Sequence, residues 1–195
     1  MNLKAGNSAK NMNPIICADF PDVIRVGDTY YMICATMHFF PGGTLLKSYD
    51  LVHWEIAAHV FERLDDTPAE QLEGEQSIYG KGMWAASLRY HKDTFYVCFA
   101  SYDTGKTYIY RTKNINEPWE KRSLDGVYHH PSLLFDEDGR IYMGYGFNEV
   151  RILELNDTLT APKEGGFERL LVEEKQDAYI SYEGAHFYKK DGTYY

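Results

Sequence analysis

Residues 132–146 read SLLFDEDGRIYMGYG. Two runs of alternating apolar residues flank the pair Asp138-Gly139, which suits the left-handed backbone of a tight turn, so the stretch reads as a β-hairpin. The same phrase recurs as DVIRVGDTYYMICAT from Asp22, SLRYHKDTFYVCFAS from Ser87 and AHFYKKDGTYY from Ala185, with Gly27-Asp28 and Asp191-Gly192 as further turn pairs. A second phrase follows the first three copies: LLKSYDLVHWEIA (45–57), TYIYRTKNINEPWEKRS (107–123) and, more loosely, VRILELNDTLTAPKE (150–164). It reads as another pair of strands, the last opened by Trp54 or Trp119 in the first two copies. Two hairpins per unit make a four-stranded antiparallel sheet, and a repeat of roughly 45–65 residues is the spacing of β-propeller blades. A β-sandwich of generic hairpins is the competing fold; tryptophans recurring at the same place within the units favour the propeller. The fold class expected is all-β.

Composition agrees. Of 195 residues 44% are hydrophobic, enough for a substantial core, and 15% are aromatic with 17 Tyr, a bias toward strands and ring-binding surfaces. A net charge of −9 argues against a nucleic acid or an anionic membrane as partner, since Lys and Arg grip both. The cysteines, Cys17, Cys34 and Cys98, lie in apolar strand-like settings without metal or redox spacing and read as buried thiols. MNLKAGNSAKNMNP lacks the apolar run of a secretory leader, and no stretch approaches a membrane span, so the expected location is cytoplasmic. Residues 1–12 read as an arm and 13–195 as the propeller domain. The final phrase stops within a hairpin, which leads to the expectation of a chain truncated at its C-terminus, with unpaired edges open to self-association. Residues 62–83 form a polar excursion, and loops of such size tend to carry function.

In a propeller, the starts of the innermost strands face one another across a central pocket. Those starts here are ADFPD (18–22), GMWAAS (82–87), YHHPS (128–132) and YEGAH (182–186). Carboxylates, an indole and imidazoles are an inventory for cleaving sugars: a base, an acid and an aromatic platform. By themselves Asp19 and Asp22 are also ordinary turn formers beside a proline, and Glu183 an ordinary solvated turn residue.

On these phrases, together with ATMHFFPGG, LKSYDLVHWE and KGMWAASLRYHKDTFYV, the chain resembles glycoside hydrolase family 43 over nearly its whole length. The resemblance implies a five-bladed propeller, of which this chain covers about three blades and the start of a fourth. It implies an inverting hydrolase of xylose- or arabinose-containing saccharides, with an oligosaccharide or aryl glycoside as substrate. By that likeness Asp22 is the general base, with Asp19 as the alternative because ADFPDVIRV is two residues shorter than usual. Glu183 of Glu-Gly-Ala-His is the general acid. His130 stands where the family places an aspartate that orients the acid and keeps it protonated, while His129 matches the family's usual histidine. A neutral His130 could still orient Glu183 by a hydrogen bond. Trp84, His38, Phe39 and His129 fall where the family lines its sugar pocket. No cofactor is expected; some relatives hold a central calcium, but no single stretch here shows metal-ligand spacing. The two departures raise an alternative, a propeller that binds saccharide without cleaving it.

Overall fold

A computed structural model describes residues 19–174 and 182–195. Residues 1–18, with the arm and Cys17, lie outside the described residues, as do 175–181 and the side chain of Asp19. Every regular element among the described residues is a β-strand.

The first sheet is formed by β1 (Asp19–Val26), β2 (Thr29–Ala35), β3 (Gly42–Ser48) and β4 (Glu55–Phe61); the second by β5 (Met83–His91), β6 (Thr94–Ser101), β7 (Lys106–Thr112) and β8 (Glu120–Asp125). The third contains β9 (Ser132–Phe135), β10 (Ile141–Tyr145), β11 (Glu149–Leu155) and β12 (Glu168–Glu173), and β13 (Lys189–Lys190) pairs with β14 (Thr193–Tyr194). Each four-stranded sheet is an antiparallel meander with its strands in chain order. The repeated phrases therefore fall on β1–β2, β5–β6, β9–β10 and β13–β14, and the second phrase on β3–β4 and β7–β8. Trp54 and Trp119 stand immediately before β4 and β8 as expected.

Two local readings differ. Phe135 pairs with Ile141, so Asp138-Gly139 sits in a five-residue loop and not in a two-residue turn. The Asp136 amide donates to the Arg140 carbonyl at 2.9 Å, which closes that wider loop. The 150–164 phrase covers β11 but not its partner, since β12 begins at Glu168 after a longer connection. The true two-residue turns are Gly27-Asp28, Lys92-Asp93 and Asp191-Gly192. Lys92 and Asp93 adopt φ of +46° and +57° without a glycine, conformations held by the long ladder on either side.

The core lies between successive sheets. Ile33, Leu45 and Phe61 of the first sheet pack with Leu88, Val97 and Phe99 of the second. Cys98, Ile109 and Leu124 pack with Leu133, Met143 and Leu153 of the third. A smaller cluster joins Leu134, Tyr142 and Ile152 to Phe187, just before the last hairpin. Strand β5 lies against β1 and β2 on one side and β9 on the other, so the first strands of the three sheets are neighbours. Arg89 of β5 pins them together. Its guanidinium donates to the Asp22 carboxylate at 2.6 Å, to the Leu133 carbonyl at 2.8 Å and to Ser132 Oγ at 2.8 Å. Ser132 Oγ also accepts the Phe187 amide, which brings the last hairpin onto the same centre.

Candidate active site

The site forms where the chain enters the first strand of each unit. In the first sheet the register slips between Asp19 and Asp22, and Phe20 within the slip has φ of +49°. This bulge turns Asp22 inward, where it is 7% exposed. One carboxylate oxygen accepts the Leu88 amide at 2.8 Å as well as Arg89. The other lies 3.7 Å from His186 Nδ1. A carboxylate held by an amide and a guanidinium is anchored, and Asp22 serves the contact between β1 and β5.

In the third unit, His130 has φ of +45°, a conformation that costs a non-glycine residue on the order of 1–3 kcal/mol. The kink stacks the rings of His129 and His130, with centroids 4.1 Å apart and planes 14° from parallel. Gly146 supports it by donating its amide to the His129 carbonyl at 2.9 Å.

A line of hydrogen bonds runs through His129. The Tyr102 hydroxyl lies 2.6 Å from Nδ1, and Nε2 lies 3.2 Å from a carboxylate oxygen of Glu183. With the hydroxyl donating to Nδ1, the imidazole donates Nε2–H to Glu183. Burial, then the charge of Glu183, push the Tyr102 phenol up, which keeps it a donor. The expected bond from His130 is replaced by this one: His130 Nδ1 stands 4.0 Å from Glu183, too far to bond. His130 is buried, and desolvation followed by the neighbouring His129 lowers its pKa to about 4, so the ring is neutral at physiological pH.

Trp84 occupies a bulge in β5 and donates its indole N–H to the Gly80 carbonyl at 3.0 Å. Its ring lies 5.3 Å from Tyr102, 5.4 Å from His129 and 6.3 Å from His130. His38 accepts the Gly80 amide, and its ring packs at a tilt against both Phe39 and Tyr79 with centroids 4.4 Å apart. Phe39 and Tyr79 are 67% and 75% exposed, a ring surface facing solvent around His38. The start of the polar excursion is structural instead: Glu70 receives the Asp65 amide and Thr67 donates to Asp103. A cavity of about 230 Å³ opens between Phe20, Ala85, His130, Ser132, Gly184 and His186.

Trp84, His129, His130 and Glu183 are thus one cluster, His38 and Phe39 flank it through Gly80, and Asp22 lies to the side, linked through His186. Sequence reasoning missed Tyr102, Tyr79, Phe147 and His186. Phe147, 53% exposed, stands 5.4 Å from His129. Its signal was available: Tyr102 and Phe147 follow the second strand of their units, as His38 and Phe39 follow β2.

Compared with known proteins, residues 11–195 match the family model described as Glycosyl hydrolases family 43. The chain belongs to that family. It is 32% identical to a beta-xylosidase of Formosa agariphila, over 94% of this chain and 33% of that protein. It is 35% identical to a non-reducing end alpha-L-arabinofuranosidase of Bacteroides ovatus, over 94% of this chain and 34% of that one. Among solved structures, a bifunctional GH43-CE protein of Bacteroides eggerthii superposes with a TM-score of 0.86 at 40% identity, over 94% of this chain and 24% of the other. The chain spans about a third of the length of these curated relatives.

Proposed function

We propose that this family 43 chain supplies the acid side of an inverting glycoside hydrolase acting on xylose- or arabinose-containing saccharides. In this reading its three sheets are blades of a five-bladed propeller whose inner strands meet at Arg89. The observation that carries it is the hydrogen-bonded line Tyr102–His129–Glu183 beside the Trp84 indole and an open cavity.

Glu183 receives His129 on one oxygen, which leaves the other to carry the proton that goes to the departing glycosidic oxygen. Trp84 and, across Gly80 and His38, the exposed Tyr79 and Phe39 offer apolar ring faces for a sugar to stack on. The base comes from the ADFPD step. Because Asp22 is engaged by Leu88 and Arg89, we assign the role to Asp19, the first residue of β1, on the other side of the bulge. Inversion requires the two carboxyl groups roughly 6.5–9.5 Å apart, with a water between the base and the anomeric carbon.

The burial of a neutral histidine where the family has a carboxylate favours a second reading, a saccharide-binding propeller without turnover. Rates on aryl β-xylosides and α-L-arabinofuranosides, measured in the full-length protein, separate the two. Hydrolysis with a first-formed sugar of inverted anomeric configuration by NMR is expected. Restoring a carboxylate with His130→Asp should raise the rate and move the alkaline limb of the pH profile upward, since a nearby anion disfavours ionisation of the acid. Saccharide binding with no turnover by either protein would establish the second reading.

A further inference from the structure

The line from Tyr102 through His129 to Glu183 has a direction, and its two lengths fix it. Hydroxyl donors make bonds of about 2.5–3.0 Å, and N–H donors to oxygen bonds of about 2.7–3.2 Å. The 2.6 Å between the Tyr102 hydroxyl and His129 Nδ1 is too short for a donating Nδ1–H and suits a donating hydroxyl. The 3.2 Å between Nε2 and Glu183 is too long for a donating carboxyl O–H and suits a donating Nε2–H. The line therefore runs one way, from the phenol through a single tautomer of the imidazole to the carboxylate. Packing keeps the ring from exchanging these partners. It stacks on His130 at 4.1 Å, and Trp84 and Phe147 each lie 5.4 Å away. A half-turn would aim carbon atoms at both oxygens and forfeit both bonds.

We infer that Tyr102 is a positioning residue for the acid: by donating to Nδ1 it keeps the proton of His129 on Nε2, which engages one oxygen of Glu183 and leaves the transferable proton to the other. The hydrogen bond made at one imidazole nitrogen sets the protonation of its companion. The inference rests on the reading of Glu183 as the acid. Without the hydroxyl nothing holds the His129 proton on Nε2. Once that proton moves to Nδ1, Nε2 accepts the O–H of Glu183, and the proton is turned toward His129 and away from the departing oxygen. Among the described residues, the ionisable side chains facing Glu183 are Tyr102, His129 and His130, with His186 acting on His130 from the side of Asp22. An N–H donated to a carboxylate favours its ionised form. Losing that bond therefore keeps the acid protonated to higher pH, with its proton misplaced.

Tyr102→Phe in the full-length protein tests this while keeping the ring that meets Trp84 edge-on at 5.3 Å. On a disaccharide, whose leaving alcohol needs a proton, kcat is expected to fall about tenfold or more with KM little changed, and the alkaline limb of the pH profile to move upward. An aryl glycoside with an acidic phenol should lose little. Nitrogen NMR of histidine-labelled protein at neutral pH reads the tautomer without any reaction, the His129 signal being assigned by its loss in His129→Gln. The parent should carry its proton on Nε2, and Tyr102→Phe should move it wholly or partly to Nδ1. A parent protonated on Nδ1, or a variant whose spectrum matches the parent's, overturns the inference. A fall in kcat with the alkaline limb unmoved marks a merely structural role and overturns it as well. A parent that binds saccharide without turnover contradicts the hydrolase reading, and the nitrogen spectra then decide the state of the line by themselves.

Discussion

Asp22 and Glu183 look alike in the sequence, each a carboxylate beside a turn, and the fold gives them opposite circumstances. Asp22 is enclosed with Arg89, their side chains 9% and 16% exposed, whereas Glu183 stands 41% exposed at the cavity edge. Removing one member of an enclosed ion pair strands the other, at a cost of roughly 3–5 kcal/mol. Asp22→Asn should therefore lower the unfolding free energy by about 3 kcal/mol, read by denaturant titration. Asp19→Asn should leave the melt unchanged and abolish turnover; the reverse pattern would return the base to Asp22. The places of Glu183 and Trp84 beside His129 were legible because their short phrases are specific. The commitment of Asp22 was not, because Arg89 is distant in sequence and nothing local announces the partnership.

Single strands and loops carry the next set of constraints. Gly146, with φ of +148°, ends β10 and holds the His129 carbonyl. A Cβ there would meet the Glu149 carbonyl oxygen at 1.8 Å, a backbone atom that cannot step aside. Gly146→Ala should cost roughly 2 kcal/mol or more and weaken saccharide binding by displacing His129, seen as a lower melting temperature and a raised Kd. In the polar excursion, Glu70 is 7% exposed, and desolvation, aided by the charges of Asp103 and Asp65, raises its pKa to about 6 against the bond from the Asp65 amide. Between the ordinary value of 4.5 and about 6 the folded state holds a proton that the unfolded state has released, so stability falls as pH rises through this window. Glu70→Gln should therefore be more stable than the parent by about 2 kcal/mol above pH 6 and equal to it near pH 4, measured by melts at both pH values. Hairpins with Gly27-Asp28 and Asp191-Gly192 were legible from their turn pairs. The wide loop at Asp136–Arg140 was not, because the same Asp-Gly signal serves turns of several lengths, and the Asp136 side chain is also engaged by Lys189 and Tyr194 of the last hairpin.

At the scale of the molecule, each sheet buries its face only against the next, so the stability of one sheet depends on its neighbour. Leu88 on β5 is fully buried between the first two sheets, and Leu88→Ala should cost about 2–5 kcal/mol, melting both sheets in a single transition. Two separate transitions, followed by hydrogen exchange on β2 and β6, would indicate that the sheets fold independently. The order and period of the sheets were legible from repeated phrases. Their convergence on Arg89 depends on long-range packing that no repeat displays. That convergence is what brings Trp84, His129 and Glu183 together from separate units, and its chemical meaning turns on the role proposed for Glu183, that of general acid. The most direct test compares Glu183→Gln with the parent, in the full-length protein, on an unactivated disaccharide and on an aryl glycoside with an acidic phenol. A loss of about 10²–10⁴-fold is expected on the disaccharide, whose alcohol must be protonated as it departs, and little loss on the aryl substrate. Equal losses on both, or none on the disaccharide, would contradict that role.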